Sequence, residues 1–158
     1  MRKFLTNYIE DSIFIHCDMW GERFPMKDSV RVLDFDLAEA TAINAVAGMY
    51  INGKTIYVYG VAGFMIHQME QIKYSILTTL KNHQTPGKII FVNAGKVGYD
   101  IFTEPHRLVD DIDLMKHYGI RVYDPETIED IEVNLNEIHK NDIKISYIRL
   151  GKDFKWFI

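Results

Sequence analysis

Short apolar runs alternate with segments of helical periodicity along almost the whole chain. The runs are rich in β-branched and aromatic residues and are bounded by glycine, proline or asparagine, which is typical of β-strands. They are IFIHC (13–17), VRVLDF (30–35), TIYVYG (55–60), KIIFVN (88–93), IRVY (120–123) and IKISYIRL (143–150). Because KIIFVN is apolar at successive positions, we expect it inside a parallel sheet that is covered on both faces.

Between these strands, four segments repeat apolar residues at the spacing of an α-helix. They contain Ala42, Ala45, Val46 and Met49; Met65, Met69, Ile72, Ile76 and Leu80; Leu108, Ile112 and Met115; and, after Asp124-Pro125, Ile128, Ile131, Leu135 and Ile138. Alternating strands and helices with right-handed crossovers predict an α/β fold, a three-layer, doubly wound structure with a mostly parallel sheet. Residues 1–158 contain no linker or repeat, so we expect a single domain.

Composition narrows the function classes. The chain has 158 residues, of which 47% are apolar and 25% are charged, as in an ordinary globular domain. Its net charge of −4 gives no basic footprint for nucleic acid. No apolar run approaches the length of a membrane span, so no membrane association is expected. The single cysteine, Cys17, cannot form an internal disulfide, which favours a reducing, cytoplasmic location.

One motif is misleading. Gly48, Gly53, Lys54 and Thr55 satisfy the phosphate-loop pattern GxxxxGK[ST]. Such a loop needs a strand before it and a helix that begins at the lysine, so that backbone amides point at phosphate. Here a predicted helix runs into Gly48 and a predicted strand leaves from Thr55. We therefore interpret Gly53 as part of a helix-ending turn and expect no nucleotide site.

Glu39 and Phe64 each have a plain structural interpretation. Asp36 and Glu39 have the spacing of a helix capping box, with Asp36 as the N-cap. Phe64 lies between a strand and a helix, where an aromatic residue commonly joins the core.

Their context adds a resemblance. Glu39 opens a small-residue helix that ends near Gly48, and a strand then leads to Phe64 and a second helix ending in Glu70-Gln71-Ile72. Asn93-Ala-Gly95, Gly98-Tyr99, His106, LVDDIDLM (108–115) and Ile148-Arg149-Leu-Gly151-Lys152 follow in order. This succession, over roughly residues 13–152, resembles the pyrimidine-binding domain of the transketolase family of thiamine diphosphate enzymes.

The resemblance implies roles for two residues. In that family the glutamate that matches Glu39 is catalytic, because its hydrogen bond to the cofactor's aminopyrimidine ring promotes removal of the thiazolium proton. The aromatic residue that matches Phe64 stacks on the same ring. Thiamine diphosphate is therefore the expected cofactor; it carries the reaction chemistry while the protein supplies orientation and electrostatics.

The resemblance also implies substrate contacts. His106 matches the active-site histidine that moves protons on the substrate, although it could also be a helix-cap residue. His67 takes the place of a phosphate-binding arginine, and Arg149 matches an arginine that binds phosphate or hydroxyl groups. Asp18 matches the aspartate after the first strand. The plain alternatives are a solvated helix residue for His67, a surface ion pair at a strand end for Arg149 and a loop cap for Asp18.

Two departures shape the expected assembly. Family members bind the diphosphate through Mg²⁺ at a Gly-Asp-Gly motif, and this chain has no Gly-Asp dipeptide. The family's C-terminal domain also has no counterpart here, so the resemblance implies a split enzyme, active only with a separate diphosphate-binding subunit that holds the Mg²⁺. We expect self-association into a heterotetramer and no metal ligands in this chain. In addition, Phe102 replaces the donor-hydroxyl aspartate of the loop before His106, which leaves a less hydroxylated or unusual ketose, or a 2-oxo acid, as candidate substrates.

The leading functional hypothesis is a transketolase-like transferase that moves a two-carbon ketol unit between sugars. One alternative is a subunit of a 2-oxo acid decarboxylase or dehydrogenase, or of an enzyme similar to deoxyxylulose phosphate synthase. Another is a non-catalytic interaction module with the same fold.

Overall fold

The computed structural model describes residues 12–17, 31–94 and 111–150. Six strands form one sheet in the order β2-β1-β3-β4-β6-β5, and all neighbouring strands are parallel. They are β1 (Ile13–His16), β2 (Arg31–Asp34), β3 (Thr55–Val61), β4 (Lys88–Ala94), β5 (Arg121–Tyr123) and β6 (Ile145–Leu150). The six predicted strands are confirmed, with small differences at their ends.

The helices lie where the apolar periodicity predicts them. They are α1 (Glu39–Ile51), α2 (Ala62–His67), α3 (Met69–Gln71), a π-helical segment (Ile72–Leu77), α4 (Thr78–Asn82), α5 (Asp111–His117) and α6 (Ile128–Lys140). The stripe predicted over Met65–Leu80 thus runs through several short helical pieces rather than one α-helix. Within the described ranges, no helix is long and apolar enough to cross a membrane.

Two apolar clusters cover the two faces of the sheet, which confirms the three-layer α/β architecture. On the first face, α1, the π-helical segment and α5 pack against alternate strand residues, and this cluster includes Ile43, Val46, Ile72, Met115, Ile15, Val58 and Phe91. On the second face, α6 packs against the intervening residues, and this cluster includes Ile131, Leu135, Ile138, Phe14, Ile90 and Val92. A strand buried on both faces, such as β4, therefore has to be apolar at successive positions.

The start of α1 differs from the prediction. The N-cap is Ala38 rather than Asp36, and no side chain caps the helix. Asp36 instead takes a left-handed backbone conformation with φ of 48°, and its N–H donates to the carboxylate of Asp34 over 3.0 Å. This local turn delays the helix until Glu39. The capping-box interpretation of Glu39 is therefore wrong.

A capping box that the sequence analysis missed begins α6. The N–H of Asp130 donates to Thr127 Oγ1 over 3.1 Å, and the N–H of Thr127 donates to Asp130 Oδ2 over 2.8 Å. The helix consequently begins after Thr127 and not at Asp124-Pro125. The two members of the box are three positions apart, which is a spacing that a sequence can reveal.

The structure also bears out the rejection of a phosphate loop. Gly48 lies inside α1, Gly53 turns the chain with φ of 73°, and β3 begins at Thr55. The order is helix, turn, strand, which is the reverse of the order that presents backbone amides to a phosphate.

Candidate functional site

The strand order reverses between β1 and β3. From β1 the chain continues to β2 on one side, whereas from β3 it continues to β4 on the other side. In open α/β sheets, ligands bind in the crevice outside the carboxyl ends of the strands at such a reversal. The fold itself therefore predicts a ligand site next to the end of β1 and the end of β3.

A small, partly open cleft lies at this position. Its wall is largely apolar. The residues that line it are Cys17, Glu39, Ala42, Ile43, Val58, Tyr59, Gly60, Val61, Phe64, Met65 and Gln68. Glu39 and Phe64, which are 25 positions apart along the chain, thus share one cleft.

Glu39 is placed by the late start of α1. It is the first residue of the helix and is half-buried. Among the residues that the structure describes, none donates a hydrogen bond to its carboxylate, so the capping role no longer accounts for it. A carboxylate on the wall of an apolar cleft suits a ligand that brings its own hydrogen-bond donor.

Cys17, which follows β1, lines the same cleft as Glu39, and the charge of Glu39 affects the pKa of its thiol. Burial raises the pKa of the Cys17 thiol to about 12, and the negative charges of Glu39 and Asp34 add to that effect. The side chain is therefore a neutral thiol at physiological pH. The cleft holds one negative group, Glu39, beside a neutral sulfur.

Phe64 lies within the short helix α2, which follows β3 directly because Val61 keeps an extended backbone at the junction. The ring is half-buried and forms part of the cleft wall. An aromatic face and a carboxylate in one apolar cleft can bind a flat heteroaromatic ring, by stacking and by accepting a hydrogen bond from a ring nitrogen.

Arg149 lies farther along the same edge of the sheet, near the end of β6. Its Nη2 is 3.1 Å from Asp111 Oδ1, and their side chains are 16% and 1% exposed. The hydroxyl of Tyr147 donates to Asp111 Oδ2 over 2.7 Å. Burial of Tyr147, and then the Asp111 carboxylate, hold the pKa of that hydroxyl well above its ordinary value. Arg149 therefore forms a largely buried ion pair and not the surface pair that was its plain alternative.

Comparison with solved structures supports this architecture. A split-gene transketolase, solved as an inactive β4 tetramer, matches 95% of the chain with a TM-score of 0.67 and 21% identity. An enzyme from Mycobacterium smegmatis, assigned as thiamine diphosphate-dependent, matches with a TM-score of 0.56 and 14% identity. Benzoylformate decarboxylase from Polynucleobacter necessarius matches with a TM-score of 0.53 and 13% identity. The chain has the fold of a thiamine diphosphate-enzyme domain.

These similarities are similarities of structure, and each covers less than half of the matched chain. The chain spans 48% of the split-gene transketolase chain, 30% of the Mycobacterium smegmatis enzyme and 31% of the decarboxylase. No protein-family model matches the chain, and no curated protein matches it in sequence. The thiamine diphosphate-enzyme fold is thus preserved here at low sequence identity.

The remaining predicted site residues are placed unevenly on this fold. His67 ends α2 and is exposed, and it does not line the cleft. Asp18, His106 and Phe102 lie outside the described residues. Within the described part of the chain, no group of three histidine, cysteine, aspartate or glutamate residues could hold a metal ion.

Two cleft residues were missed by the sequence analysis. Cys17 was considered only for disulfide formation, and Gly60 only as the last residue of a strand. Both lie at the carboxyl ends of neighbouring parallel strands, and that position was the available signal.

Proposed function

We propose that the chain is the pyrimidine-binding subunit of a thiamine diphosphate-dependent enzyme that transfers a two-carbon ketol unit between sugars. The observation that carries this proposal is the shared cleft of Glu39 and Phe64 at the reversal of strand order. The residues present fit an aminopyrimidine ring, because they offer one carboxylate, one aromatic face and an otherwise apolar wall.

Each residue would contribute a distinct physical effect. Glu39 would accept a hydrogen bond from the protonated ring nitrogen, and Phe64 would hold the ring by stacking. The apolar wall around Ala42, Ile43 and Val58 would keep water away from that hydrogen bond and so strengthen it. When bound, thiamine diphosphate supplies the stabilisation of negative charge on carbon that such reactions need.

The chain would act with a separate subunit that holds the diphosphate and its Mg²⁺, in a heterotetramer located in the cytoplasm. The split-gene transketolase supports a multi-subunit assembly, because it was solved as an inactive β4 tetramer. The surface near the cleft supports it as well. Leu37, two residues before Glu39, is 77% exposed, and an apolar side chain so exposed beside a site is suited to burial in a subunit interface.

The substrate would be a small sugar or oxo acid. His106 would move a proton on the substrate, while Arg149, His67 and Asp18 would bind its oxygen or phosphate groups. Because Asp111 already offsets the charge of Arg149, we expect that arginine to act by directed hydrogen bonds more than by net charge.

Calorimetry with the partner subunit tests the proposal. The complete complex should bind thiamine diphosphate with Mg²⁺, while the chain alone should show no sub-micromolar affinity. Phe64→Ala should weaken binding to the complex by about ten-fold, since stacking contributes on the order of 1 kcal/mol. Phe64→Tyr keeps the aromatic face and is the matched control. Sub-micromolar binding by the isolated chain, or unaltered binding by Phe64→Ala, would contradict the proposal.

A second candidate reaction is the decarboxylation of a 2-oxo acid, which the structural likeness to benzoylformate decarboxylase favours. Product analysis of the reconstituted complex separates the two reactions. Ketol transfer yields a longer sugar from a ketose and an aldehyde, whereas decarboxylation releases CO₂ from a 2-oxo acid without a ketose donor.

A further inference from the structure

Asn93, near the end of β4, is fully buried, yet its side chain makes no hydrogen bond to any described residue. Its relative exposure is 0%, and both Oδ1 and Nδ2 are shielded from solvent without a partner. Burying an amide in this way is costly, because the hydrogen bonds it made with water are not replaced. Such groups are uncommon in native proteins, and each one requires an explanation.

The position of Asn93 offers that explanation. In the register of the sheet, Asn93 lies beside Gly60 of β3 on one side and beside Arg149 of β6 on the other. Gly60 lines the cleft that holds Glu39 and Phe64. The amide therefore lies between the cleft and the Arg149–Asp111 ion pair, at the carboxyl edge of the sheet where ligands bind.

The side chain also faces the correct way. Along β4, Ile89 and Phe91 belong to the cluster on the first face of the sheet, whereas Ile90 and Val92 belong to the second. Because side chains alternate along a strand, Asn93 shares the first face with Phe91. The cleft residues Ala42, Ile43 and Val58 belong to that same face.

Gly60 places no side chain between the cleft and Asn93. A Cβ built at Gly60 would meet only the flexible end of Met65, at 3.7 Å, so the packing of the protein does not require a glycine there. On the far side of the amide, Nε of Arg149 is also buried without a described partner. Three neighbouring positions thus present a residue without a side chain, an amide and an N–H donor.

We propose that Asn93 is a substrate-contact residue whose side-chain amide binds the oxygen substituents of a small ligand next to the Glu39–Phe64 cleft. An amide donates and accepts, so it matches a ligand that carries a carbonyl or carboxylate oxygen beside a hydroxyl group. The identity of this ligand as the enzyme's substrate rests on the proposed function. The burial of the Asn93 amide without a described partner does not rest on that function.

The first test measures stability. Asn93→Leu replaces the amide by an apolar group of similar size, and Asn93→Val does so with a smaller side chain. If the amide lacks a partner within the protein, at least one of the variants should melt roughly 2–4 °C higher than the wild type. Ser146→Ala is the matched control, because Ser146 Oγ is likewise buried without a described partner but lies on the second face of β6. Lower melting temperatures in both Asn93 variants would overturn the proposal, since the amide would then have a structural partner.

The second test measures binding. The ¹⁵N-labelled full chain is titrated with hydroxypyruvate, which carries a hydroxyl, a carbonyl and a carboxylate group. We expect saturable shifts of the Asn93 side-chain amide and of the Gly60 backbone amide in the millimolar range. Binding should be at least about ten-fold weaker in both Asn93 variants and unchanged in Ser146→Ala. Absence of these shifts, or equal affinity in the Asn93 variants, would overturn the proposal.

The two proposals can fail separately. Hydroxypyruvate binding at Asn93 needs neither the cofactor nor the partner subunit. A complex that fails to bind thiamine diphosphate would therefore contradict the proposed function and leave the contact at Asn93 standing. Cofactor binding without shifts at Asn93 would have the opposite meaning.

Discussion

Replacing Arg149 by methionine should destabilise the fold strongly, apart from any effect on activity. Methionine keeps the length and apolar stem of the arginine but removes its charge. The carboxylate of Asp111, only 1% exposed, would then keep a single described hydrogen-bond donor, the hydroxyl of Tyr147 at 2.7 Å. Breaking one partner from a buried ion pair typically costs about 3–5 kcal/mol, because the remaining charge stays desolvated.

Asp111→Asn should cost less. The amide still accepts from Tyr147, and the Arg149 side chain is 16% exposed, so that its guanidinium can reach water. We expect a loss of about 1–3 kcal/mol. The double variant leaves no unpaired charge, so it should be more stable than Arg149→Met alone, with a coupling energy of roughly 2 kcal/mol.

Urea unfolding, followed by circular dichroism, gives the free energy of unfolding of the wild type, the two single variants and the double variant. An unchanged dependence of that free energy on urea concentration shows that only stability has changed. If the double variant loses the sum of the two single losses within about 0.5 kcal/mol, the ion pair contributes no coupling and the reasoning is refuted. The same variants also test the proposed contact between Arg149 and substrate. Loss of that contact should raise the Michaelis constant of the complex, whereas an unfolded fraction lowers only the apparent kcat.

Three further predictions concern positions away from the cleft. Burial, and then the positive charge of Lys88, lower the pKa of His139 below 6.5. The free energy of unfolding should therefore be constant above pH 6.5 and fall as the pH drops through the folded-state pKa of His139. His139→Gln should flatten this pH dependence in urea unfolding measured at several pH values. Thr127→Ala should cost about 1 kcal/mol in the same unfolding assay, because it removes the capping box of α6; an unchanged midpoint would contradict that role. Gly48→Ala should raise stability by about 0.5–1 kcal/mol, because nothing lies within 4 Å of the added Cβ inside α1; a loss would mean that this face of the helix is not open.

The strands were predictable because each depends on a local run. KIIFVN is apolar at successive positions, and that pattern alone places β4 inside a covered sheet. The start of α1 was not predictable in the same way. Asp36 is a favourable N-cap residue, but the Asp34 carboxylate takes up its N–H and turns the backbone left-handed. Two competing local hydrogen bonds were possible, and sequence spacing does not rank them.

The shared cleft position of Glu39 and Phe64 was predictable from the resemblance to the transketolase pyrimidine-binding domain, whereas their roles stay predictions. Glu39 and Phe64 follow the ends of strands, and the fold brings such positions together. The strand neighbour of Asn93 and the ion-pair partner of Arg149 depend instead on elements that are distant in the sequence. Asp111 is 38 positions from Arg149 and belongs to another element, and Gly60 and Asn93 meet only because β3 and β4 pair in that register. No local pattern encodes such contacts, so Asn93 could not be recognised before the sheet was in place.

Hydrogen–deuterium exchange at the thiazolium carbon of thiamine diphosphate, in the complex with the diphosphate-binding subunit, tests the central role of Glu39 most directly. Glu39→Gln should slow this exchange by on the order of a hundred-fold, because the amide cannot replace a charge-assisted hydrogen bond to the ring nitrogen. Glu70→Gln, an exposed carboxylate change in α3, is the matched control and should leave the rate unchanged. Equal exchange in the wild-type and Glu39→Gln complexes would contradict the assignment of this cleft to the aminopyrimidine ring.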